Sequence, residues 1–136
     1  MDSLYIKNER ENSTCDVKLI KMDFADSEIR LGGAIFDLMK LCEYTCIYIQ
    51  VIANLCTNKN GEIIVRNLPK GKYKFVEKKA PRGYKISGKS EWTFKVDSNL
   101  KNDNRQIGII EIEAYNHKAK ACLYPDDYNF ICYKKC

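Results

Sequence analysis

The stretch Lys72-Tyr-Lys-Phe-Val-Glu-Lys-Lys-Ala-Pro-Arg-Gly-Tyr84 decides how this chain is read. Tyr73 and Phe75 alternate with Lys72 and Lys74, the period-two pattern of a half-buried strand with one aromatic and one charged face. Glu77 is the next residue on the aromatic face, and Pro81-Arg-Gly83 then breaks the strand. A carboxylate left ionised and unpaired is too costly to bury. Either the strand ends before Glu77, or Glu77 meets a partner in the core, or it stays protonated.

The same alternation recurs on both sides of this stretch. Val17, Leu19 and Lys21 share one face of a strand; Ala34, Phe36 and Leu38 follow Gly32-Gly33; residues 49 to 55 are rich in β-formers; Ile63 and Val65 follow the turn Asn58-Lys-Asn-Gly61. Trp92, Phe94 and Val96 make a further strand, and residues 107 to 116 make the last, with Ile110, Ile112, Ala114 and Asn116 on one face. Residues 34 to 44 could be read as a helix, but the Gly-Gly before them and the alternation within favour strand. Short strands at short intervals predict an all-β sandwich. Three of its inward faces end on a polar residue: Lys21, Glu77 and Asn116. These converge if the first and last strands are neighbours and Glu77 lies on the facing sheet; the alternative is that each alternation frays and its polar group reaches water.

Composition narrows the function classes. The 136 residues, 45% hydrophobic and 30% charged, suit one globular domain with a core of its own. No apolar run reaches transmembrane length, and the first ten residues lack the basic start and apolar middle of a secretory signal, so a chain acting outside a cell is expected to be a fragment or a processed form. The net charge of +5 comes from scattered lysines that read as a solvated strand face, with no nucleic-acid motif beside them. His117 is the only histidine, which excludes a multi-histidine metal site within one chain, and no cofactor is implied.

The seven cysteines are an odd number and cannot all pair internally. Cys15 shares the parity of Val17 and Cys56 lies in a strand, so both are expected to be less reactive than the others. Cys42 and Cys46 fall in a loop, and Cys122, Cys132 and Cys136 in the tail. Disulfides between loop and tail, thiols kept reduced, and a four-thiolate metal site built from Cys42, Cys46, Cys132 and Cys136 all remain open readings.

Five segments in order and spacing resemble a Cna protein B-type domain, the SpaA-like, prealbumin-like module of Gram-positive pilins and surface adhesins. They are Val17-Lys-Leu-Ile-Lys-Met-Asp23, Leu31-Gly-Gly-Ala-Ile-Phe-Asp-Leu38, the run from Val51 to Gly61, Leu68-Pro-Lys-Gly-Lys-Tyr followed by Glu77-Lys-Lys-Ala-Pro-Arg-Gly-Tyr84, and Ile110-Glu-Ile-Glu-Ala-Tyr-Asn-His-Lys118. The resemblance implies a seven-stranded Greek-key β-sandwich, prealbumin-like or immunoglobulin-like, over residues 14–118, with an extension at 1–13 and a cysteine-bearing tail at 119–136. It also implies a non-enzymatic structural or adhesive module, extracellular or at the cell surface, whose partners are other domains of a surface array or a host or extracellular ligand, with no nucleic acid and no membrane insertion.

In that family a lysine and an asparagine or aspartate form a spontaneous isopeptide bond assisted by a buried acid. Carried onto this sequence, the cross-link joins Lys21 to Asn116, and Glu77 is the catalytic acid. Some relatives place the acceptor directly before Ala-Tyr, where this chain has Glu113. An inward Glu113 would turn Ile110 and Ile112 to solvent, at roughly 1.5–3 kcal/mol each, so parity favours Asn116. The chain departs from the family in its cysteines, in its longer connection at 40–47 and in lacking a sorting motif. The competing readings are a transthyretin-like module that binds carbohydrate or protein with the three polar groups merely hydrogen-bonded, and a redox- or metal-responsive protein using its thiols.

Overall fold

The computed structural model of the protein describes residues 14–86, 88–97 and 109–119. They form eight strands: β1 (Thr14–Asp23), β2 (Ile35–Leu41), β3 (Tyr48–Cys56), β4 (Glu62–Pro69), β5 (Gly71–Lys79), β6 (Tyr84–Lys85), β7 (Glu91–Val96) and β8 (Ile109–Lys118). One sheet has the order β4-β1-β8-β6 and the other β3-β2-β5-β7. The expected sandwich is present with one strand more than the seven expected. The addition is β6, two residues pairing with His117 and Lys118 of β8, too short to carry any alternation. Of residues 34 to 44, Ile35–Leu41 are strand, as their alternation predicts, and none is helix. The extension at 1–13 and the tail cysteines Cys122, Cys132 and Cys136 lie outside the described residues.

The core is where the alternations meet. Val17, Leu19, Ala114 and Ile112 of one sheet face Phe36, Leu38, Tyr73, Phe75 and Trp92 of the other in one buried cluster. Phe36 packs edge-on against both Phe75 and Trp92, and each such large side chain withdrawn from water contributes roughly 1.5–3 kcal/mol. β1 and β8 run parallel, with Lys21 level with Ala114 and Asp23 level with Asn116. β5 lies on the facing sheet between β2 and β7, with Glu77 paired to Phe36. The polar ends of three inward faces therefore come to one end of the sandwich.

Cys15 is buried, as its parity requires, but Cys56 is exposed. β3 is an edge strand whose pairing with β2 shifts register twice, and Asn54 has a left-handed backbone (φ 60°), so simple strand membership does not shield its last residue.

The turn before β4 locks the backbone behind Lys21. Gly61 N donates to Asn58 O, while Lys21 N donates to Gly61 O at 2.7 Å and Leu31 N to Lys21 O at 2.9 Å. Gly61 has φ 75°, and a Cβ there would meet Lys21 O at 2.7 Å. Gly83 also has positive φ, but a Cβ there would meet nothing within 4 Å. Gly83→Ala should therefore cost only the left-handed conformation, about 1–2 kcal/mol, and Gly61→Ala clearly more. Urea denaturation of the two variants checks this; equal losses would mean that the contact with Lys21 is unimportant.

Candidate functional site

Lys21, Glu77 and Asn116 meet beneath the end of the sandwich. Lys21 is 0% exposed, Asn116 2% and Glu77 5%. Lys21 Nζ donates to Glu77 Oε1 at 3.1 Å, and Asn116 Nδ2 donates to the same oxygen at 3.2 Å. The other hydrogen of the Asn116 amide goes to the main-chain oxygen of Lys85 at 3.0 Å. Both N–H bonds of the amide are thus held, while Asn116 Oδ1 and Glu77 Oε2 are buried without a hydrogen-bond partner among the described residues. Such orphaned oxygens are uncommon in folded proteins and call for an explanation.

The surroundings of the amine are aromatic. Lys21 Nζ stands 4.9 Å from the centre of the Trp92 ring and 5.4 Å from that of Phe36. These rings exclude water and offer their negative faces to a cation. Burial nevertheless dominates: it lowers the Lys21 pKa from 10.5 to about 8, against the opposing pull of Glu77. Burial also raises the Glu77 pKa, with Lys21 and Asn116 opposing it. Both groups are driven toward their neutral forms, and a proton passed from Nζ to Oε1 along their hydrogen bond converts the ion pair into amine and acid.

Sequence parity brings out the three side chains but not what holds them. Asp23, at the end of β1, is buried; its Oδ2 accepts from Tyr84 O–H at 2.6 Å and its Oδ1 from the backbone N–H groups of Ala25 and Asp26. Tyr84 N donates to Pro81 O and Phe24 N to Asn116 O. The Ala-Pro-Arg-Gly-Tyr turn thereby fixes β6, and β6 supplies the Lys85 carbonyl. A main-chain acceptor leaves no mark in a sequence, although Tyr84 directly before it was a visible signal. Glu113 stands away from this cluster, exposed, and accepts from Tyr115 O–H at 2.9 Å. Cys42 and Cys46 lie at the opposite end of the sandwich, at the tip between β2 and β3.

The shifted amine has a pH signature. In an Asn116→Ala chain, Lys21 and Glu77 face each other without the amide. The unfolded chain holds the lysine proton more tightly than the folded one between about pH 8 and 10.5, so stability rises with pH across that window. Against an Asn116→Ala chain that also carries Lys21→Met, the lysine chain should gain on the order of 3 kcal/mol between those limits. The raised Glu77 pKa has the opposite sign: its contribution falls as pH rises above 4.5. Thermal melts at stepped pH measure both, and a flat difference from pH 8 to 10.5 would contradict the burial of the amine.

Comparison with known proteins bears on the same strands. The SpaA family, described as a prealbumin-like fold domain, matches residues 15–108. Among solved structures, the BcpA major pilin subunit of Bacillus cereus is 30% identical, covers 79% of this chain and superposes with a TM-score of 0.58. A streptococcal ancillary pilin is 29% identical over 77% of the chain with a TM-score of 0.60. The pilus 2b backbone protein of group B streptococcus, 21% identical over 79% of the chain with a TM-score of 0.60, shares the fold. The chain spans 29%, 32% and 42% of these three proteins respectively. No curated protein sequence matches it. The match over β1 to β7, together with the two-sheet architecture, shows that the chain belongs to the SpaA family of prealbumin-like fold domains.

Proposed function

We propose that this domain is a load-bearing structural or adhesive module of a cell-surface protein, closed by an isopeptide bond between Lys21 and Asn116 with Glu77 as the assisting acid. The observation that carries the proposal is the shared oxygen: Glu77 Oε1 contacts both the Lys21 amine and the Asn116 amide in a site sealed from water. The solved pilins of similar fold support a place among the domains of a surface array, with neighbouring domains or an extracellular ligand as partners.

The chemistry follows from the two neutral forms. Lys21 gives its proton to Glu77 and attacks the side-chain carbonyl carbon of Asn116 as a free amine. The acid proton supports the oxygen on which negative charge develops, for which the partnerless Asn116 Oδ1 and Glu77 Oε2 are suited. Glu77 then carries a proton from the attacking nitrogen to the departing one. A carbon–nitrogen bond forms, the bond to Nδ2 breaks, and ammonia leaves. Holding the groups in place supplies the rate, because well-oriented intramolecular reactions reach effective molarities of about 10⁵–10⁸ M. The step occurs once per molecule, so the domain is not an enzyme in the ordinary sense.

The bond suits a mechanical role because of strand direction. β1 enters at one end, β8 leaves at the other, and the two are parallel neighbours, so tension on the termini shears one along the other. With Lys21 joined to Asn116 the load passes from β1 through the amide to the end of β8, and the chain between them bears none. A cross-link closing a loop of this length stabilises by about 4–5 kcal/mol in the chain-entropy account.

Lys21→Ala and Glu77→Gln should each leave a folded domain whose melting temperature is lower by on the order of 20 °C. On a reducing denaturing gel both variants should also run as fully extended chains, behind a wild type kept compact by its cross-link. Identical mobility of all three would reject the bond and leave the three groups as a hydrogen-bonded cluster; a compact Glu77→Gln chain would reject Glu77 as the acid.

A further inference from the structure

The tip between β2 and β3 carries chemistry that the proposed cross-link does not use. It is closed by two backbone hydrogen bonds, Cys46 N to Cys42 O at 2.8 Å and Cys42 N to Ile47 O at 2.9 Å. The first makes residues 42–46 a single helical turn, in which the first and fifth Cα atoms lie about 6 Å apart, a separation a disulfide can span. Cys46 has φ 59°. That left-handed position at the end of a turn belongs by preference to glycine or asparagine and costs another residue roughly 1–2 kcal/mol. A cysteine kept there points to a use for its thiol.

The two thiols are reachable, and the clefts they line carry several lysines and one carboxylate, Glu43. Cys42 is half-buried and lines a cleft of about 440 Å³ with Lys40 and Lys70. Cys46 is exposed and lines an adjoining cleft of about 410 Å³ with Lys70, Lys72 and Lys95. The Thr45 hydroxyl, helped by the backbone N–H groups of Thr45 and Tyr44, holds the Cys42 thiol below the ordinary thiol pKa.

We propose that Cys42 and Cys46 form a redox-active dithiol that reacts with small anionic disulfides and closes into a local Cys42–Cys46 bond. The Cys42 thiolate attacks one sulfur of the external disulfide, forming a mixed disulfide and releasing one thiolate. Cys46, deprotonated in turn, attacks the Cys42 sulfur; the mixed bond breaks and the second thiolate leaves. The protein gives up two electrons and two protons, and the small disulfide is reduced to two thiols. The lysines around both clefts draw an anionic disulfide.

Incubation of the reduced full chain with oxidised glutathione, alkylation and chymotryptic mapping tests the proposal. Cleavage after Tyr44 and Tyr48 separates Cys42, Cys46 and Cys56 onto different peptides. The expected product joins the Cys42 and Cys46 peptides. Cys46→Ser should stop at a glutathione adduct on Cys42, and Thr45→Val should slow modification of Cys42 several-fold while leaving that of Cys56 unchanged. Cys42 joined to Cys122, Cys132 or Cys136, separate glutathione adducts on Cys42 and Cys46, or Cys42 reacting no faster than Cys56 would each overturn it.

Discussion

The burial of one amine beside one carboxyl is the constraint on which the rest of this molecule turns. A lysine and a glutamate taken out of water lose solvation that their mutual attraction recovers only with good geometry and further hydrogen bonds. Here the geometry is supplied from four directions: β1 brings Lys21, β5 brings Glu77, β8 brings Asn116 and β6 brings the Lys85 carbonyl. The aromatic wall of Phe36 and Trp92 keeps water out, so the pair relieves its cost by moving toward neutral forms. A neutral amine that shares a carboxyl oxygen with an amide is placed for the proposed reaction, and amide formation would remove the buried charge altogether.

The same arrangement explains features that otherwise look incidental. Gly61 backs onto the Lys21 carbonyl at a distance that leaves no space for a side chain. Asp23 and Tyr84 form a short buried hydrogen bond that ties the end of β1 to the turn before β6. Both devices fix backbone around the three polar side chains. They lie at the end of the sandwich where β8 leaves, which is where tension on the termini would enter the Lys21 to Asn116 path.

Much of this was legible in the sequence because strands write burial with a period of two. The pairs Tyr73 and Phe75, Val17 and Leu19, and Ile112 and Ala114 declare the inward faces, and each alternation ends on a polar residue that remains inside. The same parity turns Glu113 outward, where it is found exposed. β6 was not legible: two residues carry no period, and the atom of Lys85 that matters is a backbone oxygen. The exposure of Cys56 was not legible either, since it depends on the edge position and irregular register of β3. The sequence puts Cys42 and Cys46 in a loop among the more reactive thiols, whereas the left-handed Cys46 and the turn that joins the two cysteines appear only in three dimensions.

Whether Lys21 and Asn116 become one amide is read from the intact mass of the fully reduced wild-type chain. The expected mass is lower than that of the sequence by one ammonia, with the loss absent from Lys21→Ala. A mass lower by one water would place the bond on a carboxylate instead, and an unchanged mass would contradict the claim outright.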